Sequence, residues 1–445
     1  MLPSVRPKTT EALQGLGTVT IWGDCRNMIK LTDEQRKMFD GRYGAGTQKA
    51  ISILIKYGNA FDAERLIRVD SAHSFSSLPI EFLSAMLDGV DRVRSFSTLH
   101  ALEAQSTRWA KAMGIRNDEM EDKMVIYNQQ LELCRKAGFY STFTCAPYLS
   151  GNILRKGMVF SWPGSSGIVI GNSLFGASCN RDAVPAALCS AVTGLTPEML
   201  LHKRDNRFAD LVVELEGIDV EKLSSADFGA LGYYIGGVAG TRNVAITGIP
   251  SASTFENMKY LLSPLPVSGA VSLCHIIGIS PDAPTLNTVV GDKKPETVTI
   301  NRGHIEEAYQ RLNSATTNDI SVISIGCPHC TISEIKEIAQ LINGKTVKDG
   351  VRLWVVTAES VYVLAKRMGF VDVIEDAGGL VVTDVCISGF PFEHMEQKVV
   401  NGATNSARAA HYQSRPSPTG GPGIKIKYGT TQDCINAAIK GKWGG

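Results

Sequence analysis

The chain has 445 residues, with 45 lysines and arginines against 44 aspartates and glutamates, so its formal net charge is +1. That balance excludes a general nucleic-acid binder and an acidic disordered protein. The 44% hydrophobic content is that of a folded protein, and the length accommodates about two or three domains.

The N-terminus, MLPSVRPKTTEALQGLG, has no continuous apolar run of the kind a secretory signal requires. Residues 1–28 read as an irregular leader with one short strand, Val19–Trp22. Thr32 is an N-cap residue, with Glu34 and Gln35 in the first turn of the helix it begins. A second helix is expected over Gly46–Tyr57, with Ala50, Ile51, Leu54 and Ile55 on one side. Leu66–Val69 reads as a strand that ends in Asp70-Ser71-Ala72-His73. Residues 117–137 are charged and helical, and Tyr140–Thr144 is a strand delivering Cys145.

In the middle of the chain, Gly157–Phe160 and Ile168–Ile170 read as short strands around the loop Trp162–Gly167. Residues 171–182 are rich in glycine and small polar side chains, which let a backbone approach a ligand and offer hydroxyl and amide donors. Residues 183–193 are helical. The longest apolar stretch, Phe228 to Ala239, is glycine-rich and shorter than the ~20 residues of a membrane span. Ala245–Ile249 reads as a strand.

The last third alternates strands and helices. The strands are Ala270–Ile277, Ile320–Ile325, Val351–Val356 and Leu380–Val382. The helices are 302–313, Thr331–Leu341 and Ser360–Met368. This rhythm, with polar motifs at strand ends, indicates an α/β fold with mostly parallel sheets, in which ligands bind beyond the carboxyl ends of the strands. Residues 414–423 form a loop. The organisation expected is a leader over 1–28, one or more lobes over 29–265, an α/β lobe over 266–410 and a tail over 411–445. With neither a signal nor a membrane span, the expectation is a cytoplasmic protein with reduced thiols and neither nucleic-acid nor membrane partners.

Of the ten cysteines, Cys145, Cys327 and Cys386 each stand at the carboxyl end of an expected strand. Three converging thiolates suit an iron–sulfur cluster. Most free cysteines are buried structural thiols, and Cys327-x-x-Cys330 reads equally as a redox pair or half a zinc site. Spacing does not choose among these readings. His73 and His329 stand beside polar strand ends, and Arg181 suits bidentate carboxylate binding.

The motifs together resemble the large subunit of the aconitase X family. They are DGRYGAGTQKAISILIKYG (40–58), AERLIRVDSAH (63–73), TCAPYL (144–149), NSLFGASCNRD (172–182), GCPH (326–329), TDVC (383–386) and ATNSARAAHY (403–412), spanning residues 30–440. The resemblance implies an aconitase-like fold, with α/β lobes around a central iron–sulfur crevice. It implies a cluster, [4Fe-4S] or [2Fe-2S], on Cys145, Cys327 and Cys386, with Cys330 a bystander. It implies Ser71, His73 and Arg181 as catalytic residues, and Ser165, Ser166, Asn172, Ser173, Asn180 and His329 as substrate contacts. The sequence departs from the family where Gly164-Ser165-Ser166-Gly167 replaces a Glu-Ser-Ser-Ala segment and Cys179-Asn180-Arg181-Asp182 a Thr-Asn-Arg-Glu segment. The reaction implied is dehydration of a β-hydroxy carboxylate, with the base, a serine, on a separate small swivelling-domain subunit. Two substrates are implied, cis-3-hydroxy-L-proline and mevalonate 5-phosphate. The absence of a phosphate loop and of lysine/glutamate enrichment favours the first. A Cys-x-x-Cys redox or zinc protein and a non-catalytic scaffold subunit are the competing readings.

Overall fold

The computed structural model describes residues 29–417 and 420–444. The expected leader, with its strand Val19–Trp22 and Cys25, lies outside the described residues. Three parallel sheets and one small antiparallel ladder follow one another along the chain. The fold is α/β with mostly parallel sheets, as the alternation of elements implied.

The first region contains β1 (Leu66–Arg68), β2 (Ser71–Ser74), β3 (Phe96–Leu99), β4 (Phe160–Ser161) and β5 (Leu195–Pro197). β1 pairs antiparallel with β5, whereas β2 lies between β3 and β4 in a parallel sheet. The expected strand Leu66–Val69 forms as β1, and the segment expected to follow it as a polar strand end forms a second strand, β2. Asp70 divides them: its N–H donates to the Val159 carbonyl, and its carboxylate accepts from the Val159 N–H. The Thr32 and Gly46–Tyr57 helices form as expected, over Asp33–Phe39 and Ala45–Asn59, the first with a complete Thr32–Gln35 capping box.

Two expected strands are absent. Ile168–Ile170 lies inside the helix Ser165–Ser173, which is buried from Ser166 onward. A short apolar run carries no period by which strand and buried helix can be told apart. Tyr140–Thr144 makes one isolated bridge, Thr98 to Tyr140. There the Thr142 hydroxyl donates to the Leu99 carbonyl of the neighbouring strand, and the Thr144 hydroxyl takes a local partner, the Ala146 N–H, in place of a ladder.

The second region holds β6 (Leu211–Leu215), β7 (Val244–Ile246), β8 (Cys274–Ile276) and β9 (Glu296–Ile300), in the order β8-β7-β6-β9. The glycine-rich stretch after Phe228 belongs to the helix Ser225–Ala239. A Cβ at Gly232 would lie 1.9 Å from the Leu261 carbonyl oxygen, so glycine here permits close packing on the helix Phe255–Leu262.

The third region is a five-stranded parallel sheet. Its strands are β10 (Val322–Cys330), β11 (Arg352–Thr357), β12 (Leu380–Thr383), β13 (Asn401–Thr404) and β14 (Lys425–Tyr428), in the order β12-β11-β10-β13-β14. Residues 411–445 are thus more than a tail, since they supply β14 and the helix Thr431–Lys440. The first and third regions are stitched together beside the crevice. The Leu102 N–H donates to the Asp384 carbonyl, and the Cys386 N–H donates to Leu102. Among the described residues no helix is long and apolar enough to cross a membrane.

Candidate active site

The carboxyl ends of β2, β3, β4, β10, β12 and β13 converge from two sheets. A cavity of about 410 Å3 lies there, lined by Cys145, Cys327 and Cys386 together with His100, Ser165, His329, Ser388, Arg408, His411 and Arg415. Strand-end loops bring together residues far apart in sequence, the arrangement expected of parallel sheets.

Cys327 is carried by β10, whose register breaks between Ile325 and Cys330. Gly326 enables this break. Its φ is +115°, and a Cβ there would meet the Val356 carbonyl oxygen at 2.1 Å. The Cys327 sulfur lies 2.7 Å from Ser388 Oγ, and its carbonyl accepts from the Ser406 hydroxyl. Cys145 Sγ accepts the His329 N–H at 3.4 Å. Burial, and then the neighbouring Cys327, push the Cys145 thiol up to about 12, while the His329 N–H and Arg408 act against the rise. Burial and Cys327 raise Cys386 likewise. Ionising Cys145 and Cys386 therefore calls for a cationic group beside them. Among the described residues no three His, Cys, Asp or Glu side chains close on a single ion. Three thiols spread around one cavity, with backbone N–H donation to sulfur, fit a group of several irons.

Cys330 is not part of this site. It is fully buried in the aliphatic core of the third region, among Ile323, Ile335 and Ile338. The Cys-x-x-Cys pair is therefore divided between cavity and core, which removes the geometric basis for a redox or zinc pair.

His329 is neutral, lowered to about 4 by burial. Its Nε2 donates to the Val385 carbonyl at 2.9 Å, so Nδ1 accepts from the Thr144 hydroxyl, also at 2.9 Å. Both ring nitrogens are occupied, and the residue ties the three cysteine loops together. Lys259, 1% exposed, supports the same segment from beneath. Its ammonium donates to the carbonyls of Pro328 (3.4 Å) and His329 (3.2 Å) and pairs with Glu334. Burial, the largest effect, opposes its charge, but Glu334 together with Cys330 and Cys145 offsets it and holds its pKa above that of an ordinary lysine.

The other expected site residues divide into three groups. Ser165 lines the cavity and accepts from Arg408 at 3.1 Å, while Ser166 is buried next to it. Ser71 and His73 share one face of β2 and sit behind the cavity in a directed chain of hydrogen bonds. Trp162 Nε1 donates to Ser71, Ser71 to Asn152, and Asn152 to Thr98. The Thr98 hydroxyl in turn shares a hydrogen bond with His73 Nδ1 at 2.8 Å. Asn172, Ser173, Asn180 and Arg181 are not brought to the cysteine cavity. Asn172 bonds to Cys179 and Ser272, Ser173 to the Cys274 N–H, and Asn180 to Met199 and Leu201. Arg181 is exposed.

The sequence reading missed five polar cavity residues, Ser388 and His411 as well as His100, Arg408 and Arg415. His100 follows β3 directly, a strand-end signal identical in kind to that of the cysteines. Its Nδ1 donates to the Ala101 carbonyl at 3.0 Å, leaving the lone pair on Nε2, and burial lowers its pKa to about 4. Arg408 sits in the quoted segment 403–412, and Arg415 lies just beyond it. Among the described residues neither arginine forms an ion pair, and none that lines the cavity is a carboxylate. Two uncompensated guanidinium groups make the cavity an anion receptor.

Comparison with known proteins agrees with this architecture. Residues 28–205 match the Aconitase X first domain, residues 209–310 the second domain and residues 320–440 the third domain. A phosphomevalonate dehydratase large subunit of Methanothermobacter thermautotrophicus is 34% identical, over 86% of this chain and 94% of its own length. A cis-3-hydroxy-L-proline dehydratase of Hypocrea jecorina is 27% identical, over 93% of this chain and 69% of its own length. The crystal structure of Thermococcus kodakaraensis aconitase X in its holo-form superposes with a TM-score of 0.79 at 29% identity, covering 92% of this chain and all of that one. The chain, a hydro-lyase, belongs to the aconitase X family.

Proposed function

We propose that the chain is the large subunit of a dehydratase acting on a phosphorylated β-hydroxy carboxylate of the mevalonate 5-phosphate type. The observation that carries this reading is the pair Arg408 and Arg415 in a cavity that no carboxylate lines among the described residues. A substrate with a carboxylate at one end and a phosphate at the other has an anion for each guanidinium. The ammonium of a zwitterionic imino acid such as cis-3-hydroxy-L-proline has no acidic partner there. A phosphate loop, whose absence favoured hydroxyproline from sequence, is only one of several ways to hold phosphate; paired arginines are another.

Cys145, Cys327 and Cys386 hold an iron–sulfur cluster at this site. When bound, the cluster supplies a Lewis acid for the leaving hydroxyl. The remaining tasks belong to the chain's own side chains. Arg408, fixed by Ser165 and lying over Tyr412 at 5.0 Å, grips the carboxylate and stabilises the charge that develops on it as the α proton leaves. Arg415 holds the phosphate end and orients the α carbon. His329 fixes the three cysteine loops without exchanging protons. His100 presents a neutral acceptor nitrogen to the same space. The base for the α proton comes across an interface from a small subunit, a reading supported by relatives named large subunits.

The test is turnover by the complex on mevalonate 5-phosphate and cis-3-hydroxy-L-proline side by side. Dehydration of the phosphorylated acid at a kcat/KM at least tenfold higher is expected. Preference for hydroxyproline would overturn the substrate assignment, and activity on neither would overturn the whole proposal.

A further inference from the structure

A second cavity, of about 480 Å3, lies at the seam between the first and second regions, away from the cysteines. Its volume is in the range of small-molecule sites. Lys156, Arg204 and Arg207 line it against the single carboxylate of Asp282. Asp282 is shared between Lys156 (3.1 Å) and Arg207 (3.3 Å). Arg204 forms no ion pair among the described residues. His275 is 3% exposed. Its Nε2 donates to the Arg207 carbonyl at 2.7 Å, which leaves the Nδ1 lone pair without a partner. His202 likewise has an unpartnered Nε2. Surplus cationic donors and unused buried ring nitrogens are what a bound anion carrying hydroxyl groups would satisfy.

This cavity also accounts for the small-polar stretch 171–182, which lies too far from the cysteine cavity to line it. Gly176 and Ser178 line the second cavity, and Asn172 is held by Arg207 through both its side-chain and its backbone oxygen, each at 3.3 Å. Asn172 and Ser173 end the helix that Ser165 begins. Ser165 accepts from Arg408 in the cysteine cavity. One nine-residue helix, about 13 Å long, therefore has its first residue in one cavity and its last turn bonded to the guanidinium that lines the other.

We propose that the second cavity is a regulatory site for a small phosphorylated molecule, coupled to the cysteine cavity through Arg207, Asn172 and the helix Ser165–Ser173. An anion that recruits Arg207 loosens its bonds to Asn172 and changes the seating of Ser165 on Arg408.

Calorimetric titration of the full chain with inorganic pyrophosphate tests this independently of turnover. The double variant Arg408→Ala/Arg415→Ala removes binding in the cysteine cavity. Pyrophosphate binding that persists in that variant, and that weakens at least tenfold when Arg204→Glu is added, is the expected result. Arg204 is exposed, so its replacement leaves the fold intact. Absence of binding in the double variant, or binding indifferent to Arg204→Glu, overturns the site. Hydrogen exchange of residues 165–173 in the parent chain, with Arg204→Glu as the control that removes second-cavity binding, tests the coupling. A change of threefold or more on adding pyrophosphate is expected, and no change overturns it.

Discussion

Replacing Lys259 by methionine is the perturbation whose cost follows most directly from the structure. The side chain is 1% exposed and its partner Glu334 is 7% exposed. Removing the ammonium leaves the Glu334 carboxylate buried, with Oε1 already unpartnered and Oε2 held by the Thr331 N–H. It also strips a donor from the Pro328 and His329 carbonyls. Breaking one side of a buried pair costs about 3–5 kcal/mol, which corresponds to about two to nearly four orders of magnitude in a local opening equilibrium. Hydrogen exchange across residues 322–342 should accelerate by that factor in Lys259→Met. Adding Glu334→Gln neutralises the stranded charge and should recover at least half of the lost protection. Exchange in Lys259→Met within threefold of the parent chain would refute the argument that this pair holds the Cys327 segment.

Three further outcomes follow. Arg415→Ala removes one charge-assisted contact, worth about 1.5–3 kcal/mol; it should raise KM for mevalonate 5-phosphate about 10–100-fold with kcat little changed, which steady-state kinetics will read. Arg408→Ala should lower kcat itself by about 100–1,000-fold, as loss of a donor to developing charge does. The third concerns Asp182, whose pKa is raised to about 7 by burial, against hydrogen bonds from Ser161 and Tyr57. Between pH 3.8 and 7 the unfolded chain ionises this group while the folded chain keeps it protonated. Its contribution, full below pH 3.8, is therefore lost as pH rises through 7, by about 4 kcal/mol at ~1.4 kcal/mol per tenfold change. Asp182→Asn should remove that slope, so thermal unfolding at pH 8.5 should occur at a higher temperature in the variant than in the parent chain.

Local chemistry made much of the fold readable. Thr32 and Thr331 announce their helices through capping boxes with Gln35 and Glu334, and β-branched runs mark β10 and β11. Where the reading failed, tertiary context decided. Ile168–Ile170 is apolar on every side because its helix is buried on every side. Gly232 and Gly236, whose role the sequence left open, serve close helix packing. Among the site residues, the three cysteines were legible because each closes a polar motif near an expected strand end. Arg408 and Arg415 were not, because an arginine that enters a cavity is indistinguishable in sequence from the many that face water. The residues at 172–181 are small and polar, but spacing alone could not show that Asn172, Ser173, Asn180 and Arg181 stay out of the cysteine cavity.

Iron and acid-labile sulfide per chain, measured after anaerobic purification, test the central claim most directly, because Cys327 and Cys330 stand three residues apart with opposite surroundings. Cys145→Ala, Cys327→Ala and Cys386→Ala should each lose the cluster and its visible absorption, while Cys330→Ala, a change in an aliphatic core, should retain both. An iron-free parent chain, or a cluster that survives Cys327→Ala and disappears in Cys330→Ala, would contradict the assignment of the active site.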